Sequence, residues 1–442
     1  MLREPTEVEH PPNSAIDACL IEAAKRFQLA NPNSLAQHER ATHFMPGGNT
    51  RTVLFNAPFP ITLVNGHGAH VRSADQTEYL DFLGEYTAGL YGHSNAVIAE
   101  AVRQALQNGL VLGGHTVSEA EFAQLLCERF EALQLVRFTN SGTEANLMAI
   151  NAALEFTGRQ AVLAFEGGYH GSGLNFSGAR ARNAPYEFIL APYNDCDFVR
   201  SVFTKRGNHI AAVIVEPMLG SGGCIPGSRE FLQLLREATS RCGALLILDE
   251  VMTSRLSPGG LQAIHQIVPD IVTLGKYLGG GFSFGAFGGR ADVMGLFDPR
   301  RPNAFQHAGT FNNNVCSMAA GLAGLRDIFT PAVNITFNGR GDALRQRLSS
   351  LLRKSGLPIA VTGIGSMMHI HMCRGPISTH ADGRTVNPKL RDLFFYDLLA
   401  NGIWSAHRGM FSLSLPMTEQ DHQRLVNAVD DFIAERSELF GD

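Results

Sequence analysis

Ala244-Leu245-Leu246-Ile247-Leu248-Asp249 and Ile271-Val272-Thr273-Leu274-Gly275-Lys276 decide how this chain is read. Each is an apolar run of strand length that closes on a single ionisable residue, as a buried strand does where it surfaces. An acid and an amine delivered by two neighbouring strand ends suit pyridoxal phosphate (PLP). Lys276 would be the Schiff-base amine and Asp249 the partner of the pyridinium nitrogen. An ordinary structural ion pair would leave the same trace.

Outward from these runs, helical stretches at 94–108, 118–130, 143–157 and 228–241 alternate with apolar runs at 161–165, 211–215, 244–248 and 271–274. That alternation predicts an α/β fold, with a large PLP-binding domain at 83–330 whose mainly parallel sheet carries helices on both faces. Residues 1–56 read as an N-terminal helical segment, including a helix at 14–30 capped by Ser14. Residues 57–82 break into short extended runs, Ile61-Thr62-Leu63-Val64 and Ala69-His70-Val71, punctuated by Asn65-Gly66 and Gly68. They are expected to form a small antiparallel sheet that joins the small domain. After Thr330-Pro331 come a helix at 338–354, strands near 359–361 and 366–372, a helix at 387–401, a strand at 411–415 and a helix at 418–437. Residues 331–442 are accordingly expected to be a smaller α+β domain.

With 442 residues, 45% of them hydrophobic, the chain can bury a large core. A net charge of −5 and the absence of Lys/Arg runs with interleaved aromatics argue against a nucleic-acid groove and favour small-molecule partners. Seven scattered cysteines with no Cys-x-x-Cys predict reduced thiols and a cytoplasmic setting. No stretch approaches a membrane span, and Met1-Leu2-Arg3-Glu4-Pro5-Thr6-Glu7 lacks the apolar region of a secretion signal.

Thr139-Asn140-Ser141-Gly142-Thr143-Glu144 stands where the extended run 135–138 turns into a helix. Ser141, Gly142 and Thr143 there offer hydroxyls, free amides and the positive end of a helix dipole to a phosphate, or simply cap the helix. Glycines around Tyr169 in Gly167-Gly168-Tyr169-His170-Gly171 would let its ring lie against a flat ligand. Glu216 in Val213-Ile214-Val215-Glu216-Pro217 is a third acid at a strand end, either part of the cofactor network or solvated. The glycines of 278–285 make a flexible segment that can pass close to a ligand. Thr310, in His307-Ala308-Gly309-Thr310-Phe311-Asn312, either caps the helix expected at 315–328 or reaches a phosphate.

Two other signals are set aside. Gly363-Ile364-Gly365 begins like a dinucleotide fingerprint, but Met368 occupies the third glycine position. His369 and His371 share a strand face without a third ligand at metal-site spacing, so no metal is expected.

Taken in order, Ser141-Gly142-Thr143, Gly168-Tyr169-His170-Gly171, Glu216-Pro217, Asp249-Glu250-Val251, Gly275-Lys276 and Gly309-Thr310-Phe311 resemble the class III aminotransferases over about residues 40–430. Asp249-Glu250-Val251-Met252-Thr253 is nearer the branch containing glutamate-1-semialdehyde 2,1-aminomutase. Met45-Pro46-Gly47-Gly48-Asn49-Thr50-Arg51, Thr253-Ser254-Arg255-Leu256 and His407-Arg408-Gly409 are nearer the enzymes acting on aromatic β-amino acids such as β-phenylalanine. The resemblance implies fold type I, PLP sandwiched by Tyr169 and Val251, and a homodimer in which Thr310 reaches the neighbouring subunit's phosphate. It implies amino transfer from a β-amino acid to an α-keto acid such as 2-oxoglutarate or pyruvate, with Arg51 and Arg408 reading carboxylates; a planar guanidinium suits that task, although by position alone each would equally be a solvated or salt-bridged surface arginine. Ser254-Arg255-Leu256 departs from the aminomutase pattern. An aminomutase would share every cofactor residue, and a non-catalytic module built on this fold would have no need to keep both Asp249 and Lys276.

Overall fold

The computed structural model describes residues 15–178, 182–383 and 387–440; the expected cap Ser14 lies outside them. The central sheet has seven strands in the order Leu135–Thr139, Gly285–Gly289, Ile271–Gly275, Leu245–Asp249, Ile210–Val215, Ala161–Phe165, Glu187–Ala191. Only Gly285–Gly289 runs antiparallel to its neighbours. The fold is α/β with a mainly parallel sheet, as the alternating pattern predicts.

Successive residues of each central strand divide between two apolar layers because side chains alternate across a strand. Val162, Ala164, Ile214 and Ile247 pack with Ala149 and Ile150 of the helix Gly142–Thr157. Leu163, Phe165, Val213, Val215, Leu246 and Leu248 pack with Phe231 and Leu235 of the helix Arg229–Cys242 on the other face. Fully burying one such side chain contributes roughly 1.5–3 kcal/mol, so the two layers hold the strand ends rigidly.

Gly285–Gly289 belongs to the sheet, although residues 278–285 read as flexible. Its glycines are used for close backbone approach, since a Cβ on Gly285 would lie 2.2 Å from the Ser141 carbonyl oxygen and one on Gly289 2.0 Å from that of Asp270. The first small strand, Leu63–His67, runs through Asn65-Gly66, which had suggested a break; the turn falls at Gly68, with φ +56°. Ile403–Trp404 pairs in parallel with Glu78–Asp81, so a C-terminal strand completes the sheet begun by Leu63–His67 and His70–Ser73.

The long helix is Pro331–Ser355 and starts well before the expected 338. Thr330 caps it by accepting from Val333 N, and Pro331 occupies the first turn, where its missing N–H costs nothing. Gly363-Ile364-Gly365 lies at the hairpin between the antiparallel strands Ala360–Ile364 and Met367–His371, no setting for a dinucleotide. The helix Ala15–Ala30 packs through Phe27 on Phe59 and Tyr396. Among the described residues no helix is long and apolar enough to cross a membrane.

Candidate active site

The aspartate and lysine strands are direct neighbours, with Asp249 opposite Thr273 in a parallel register. Asp249 therefore ends its strand three residues before Lys276 leaves the next one. Its buried carboxylate accepts from three donors and keeps accepting capacity for a fourth. Oδ2 accepts from His170 Nδ1 at 2.7 Å and from Asn146 Nδ2 at 2.7 Å, while Oδ1 accepts from Val251 N at 2.9 Å. Thr273 Oγ1 in turn donates to Asn146 Oδ1 at 2.7 Å and fixes which way that amide points. Burial pulls the His170 imidazole down, but the hydrogen bond and charge of Asp249 outweigh it, so its pKa ends above the usual histidine value. These contacts hold a negative charge at the strand end and aim it.

Lys276 has φ +54°, a left-handed conformation that non-glycine residues adopt at a cost and that clusters at functional sites. Burial, then the positive charge of Arg408, bring its ammonium down to about 8. A neutral amine is thus accessible near physiological pH.

The helix Gly142–Thr157 begins beside these groups. The amides of Gly142 and Thr143, in its first turn, have no carbonyl partner within the helix, and Ser141 caps it by accepting from Glu144 N at 3.2 Å. A Cβ on Gly142 would lie 2.8 Å from Val251 Cγ2, and one on Gly275 would lie 3.2 Å from Val251 Cγ1. Gly171 brings its backbone so near Thr143 that a Cβ would fall 2.2 Å from the hydroxyl oxygen. Val251 is thereby wedged between the helix start and the lysine strand. Tyr169, 38% exposed, is held by its amide, which donates to Glu216 Oε1 at 2.9 Å. Glu216 is buried, accepts a second amide from Gly220, and has its carboxyl pKa raised chiefly by burial. A flat anionic ring with a basic nitrogen fits this donor set: amides for its phosphate, an acid for its nitrogen, an amine for its aldehyde.

Sequence reasoning missed His170 and Asn146 as site residues. His170 stood inside a quoted motif, but nothing in its spacing paired it with Asp249, 79 residues away.

The two arginines meet at one tyrosine. Arg408 Cζ lies 4.8 Å and Arg51 Cζ 5.7 Å from the Tyr86 ring centroid. Arg51 is ion-paired with Glu85. Arg408 has no carboxylate partner among the described residues; its Nη2 contacts Met410 Sδ, its Nε is buried without a hydrogen bond, and burial lowers its pKa. Arg255 is structural: fully buried, it donates to the Thr87 and Leu413 carbonyls and to the Ser366 and Ser412 hydroxyls. His369 and His371 are buried with ring centroids 4.1 Å apart, and no group of three or more metal-binding side chains occurs among the described residues.

Thr310 stands apart. It is exposed, and the turn carrying it is tied back to the helix start by Asn140 Nδ2, which donates to Asn312 Oδ1 at 3.0 Å.

The chain is similar to known proteins throughout its length. It is 51% identical to the β-phenylalanine transaminase of Variovorax paradoxus, covering 95% of this chain and 97% of that one. The solved structure of a β-phenylalanine aminotransferase from that organism superposes with a TM-score of 0.94, covering 96% of this chain and 99% of the other. A glutamate-1-semialdehyde 2,1-aminomutase of Sorangium cellulosum is 37% identical over 91% of this chain and 96% of its own. The model of the class-III aminotransferases matches residues 55–432. With the lysine and the acid brought together at the carboxyl ends of two adjacent central strands, beside a helix start, the chain belongs to the class-III aminotransferases and is a PLP-dependent transaminase.

Proposed function

We propose that this transaminase takes its amino group from a β-amino acid with an aromatic side chain, such as β-phenylalanine, and gives it to an α-keto acid such as 2-oxoglutarate or pyruvate. The observation that carries the substrate class is Arg408: a largely desolvated guanidinium whose charge acts on Lys276 and which has no protein carboxylate of its own among the described residues. A half-buried cation without an ion-pair partner gains most from a carboxylate that a ligand brings. A substrate carboxylate does so with two charge-assisted hydrogen bonds. Arg51, at the other side of Tyr86, is the second reader.

PLP supplies the electron sink that lets a proton leave the carbon bearing the amino group. Lys276 Nζ, whose neutral form the lowered pKa makes accessible, would take that proton and return it on the other side of the transfer. Asp249, fixed by His170, Asn146 and the Val251 amide, keeps the ring nitrogen protonated. Ser141, Gly142 and Thr143 would hold the phosphate, and Tyr169, positioned by Glu216, and Val251 would pack against the ring. We further propose a homodimer: exposed Thr310 beside Phe311, itself 60% exposed, would complete the partner's phosphate site. Seven free cysteines support a cytoplasmic setting.

Arg408→Ala and Arg51→Ala test the substrate class. Each should lower kcat/KM for β-phenylalanine roughly ten- to a hundredfold while a carboxylate-free amine such as 1-phenylethylamine is spared. Equal effects on acid and amine in both variants would remove the carboxylate readers from the account.

A further inference from the structure

Tyr86 lies in a turn with unusual backbone geometry. Gly84, Glu85, Tyr86 and Thr87 have φ values of +52°, +46°, +52° and +83°, four left-handed residues in succession, three of them with side chains. Strain of that kind persists only where the surroundings over-determine it, and it concentrates at ligand clamps. Here Asp81 Oδ1 accepts from Leu83 N at 2.9 Å and Gly84 N at 3.0 Å, Gly89 N donates to Gly84 O at 2.8 Å, and Arg255 Nη1 donates to Thr87 O at 3.1 Å. The turn is therefore pinned at both ends by groups that touch neither arginine reader.

What the strain achieves is the placement of two consecutive side chains. Glu85 receives the Arg51 guanidinium as an ion pair. Tyr86, 8% exposed, turns its ring to both guanidiniums and anchors itself by donating its hydroxyl to Val53 O at 3.2 Å. Val53 follows Arg51 by two residues, so that one hydrogen bond ties the ring to the segment bearing the second arginine. Arg408 needs such a platform more than Arg51 does, because its Nε has no partner among the described residues and its Cζ lies 4.8 Å from the ring centroid.

We propose that Tyr86 is a positioning residue for substrate carboxylates: its ring is a shared cation–π platform that fixes both Arg51 and Arg408, and the strained turn 84–87 exists to hold it between them. The inference rests on the carboxylate-reading role of the two arginines and adds to it a residue that determines acid specificity without touching the reacting atoms. Weakening the ring's negative face should lower affinity for acids, leave the maximal rate of the donor half-reaction unchanged, and leave amines unaffected.

The test uses the PLP-loaded enzyme with Tyr86→Phe, and then mono-, di- and trifluorophenylalanine placed at position 86, a near-isosteric series that withdraws electron density from the ring while the fold is kept. The donor half-reaction is followed in single turnovers by the absorbance of the bound cofactor, with β-phenylalanine and with 1-phenylethylamine. Half-saturation for β-phenylalanine should rise stepwise along the series, by roughly five- to thirtyfold in total. Its limiting rate and both parameters for the amine should stay within twofold of the unfluorinated variant (about the spread of such measurements). A flat response to fluorination, while Arg408→Ala still discriminates acid from amine, would overturn the role of Tyr86 alone. If Arg408→Ala and Arg51→Ala fail to discriminate, the carboxylate reading falls and the Tyr86 proposal with it.

Discussion

Replacing Asp249 with asparagine removes one charge and changes almost no volume, so its consequences can be worked from the hydrogen bonds alone. The carboxylate accepts from His170 and Asn146 on Oδ2 and from the Val251 amide on Oδ1. An asparagine amide has one accepting end. Placed toward His170 and Asn146, it turns its NH2 on the Val251 N–H; turned the other way, it faces two donors. Asn146 cannot flip to help without losing the Thr273 hydroxyl that donates to its own Oδ1. Either orientation leaves a buried donor without a partner, at about 1–3 kcal/mol of stability. If Asp249 partners the cofactor nitrogen as proposed, losing that charge-assisted bond removes about 1.5–3 kcal/mol from the stabilisation of the electron-accepting ring, and the donor half-reaction should slow by roughly ten- to 150-fold. The assay is single-turnover absorbance of bound PLP after mixing with β-phenylalanine, with cofactor content measured by equilibrium dialysis to separate slow chemistry from cofactor loss. A variant that keeps its cofactor and reacts at the parent rate would refute the assignment of Asp249 as the ring-nitrogen partner.

Lys276 carries a pH prediction whose sign follows from burial. Its ammonium is brought down to about 8, so one unit below that value about a tenth of the amine is neutral, against less than roughly a thousandth for an unperturbed lysine. Covalent capture of PLP by the apoenzyme should accordingly accelerate as pH climbs through about 8 and level off above it; a rate that keeps climbing beyond pH 10 would contradict the burial argument. Gly142→Ala would set a methyl 2.8 Å from Val251 Cγ2 at the helix start and should weaken cofactor binding by about 1–3 kcal/mol. Val251→Ala in the same chain should restore part of that loss, and a strictly additive pair would mean that the two residues do not share the site.

How much of this arrangement was legible beforehand depends on what each residue's signal was. Asp249 and Lys276 could be placed because fully buried parallel strands read as apolar runs, and an ionisable residue closing such a run has to surface at the sheet edge. Ser141-Gly142-Thr143 was readable for a similar reason: a strand turning into a helix leaves free amides at the turn. The strand Gly285–Gly289 is absent from the sequence reading, where the glycines of 278–285 signal flexibility; only the neighbouring Ser141 and Asp270 carbonyls show that Gly285 and Gly289 serve close packing. The helix start at Pro331 is missed because Thr330-Pro331 reads as a boundary, although proline favours the first turn of a helix, and the β-branched Val333, Ile335 and Thr336 that follow it carry weak helix propensity. His170, Asn146 and Tyr86 have no local mark, since each acquires its role from a partner that is distant in the sequence, 79 residues away for His170 and 103 for Asn146.

Isotope transfer tests the central claim most directly. The purified enzyme is given β-phenylalanine labelled with heavy nitrogen together with unlabelled 2-oxoglutarate or pyruvate, and the products are analysed by mass spectrometry. Transfer between molecules, through Lys276 and the carboxylate-reading arginines, predicts that the amino acid formed from the keto acid carries the label and that the donor leaves as its keto product. Label retained in the donor skeleton, shifted to the neighbouring carbon with no labelled amino acid formed from the keto acid, would instead identify an aminomutase and contradict the account.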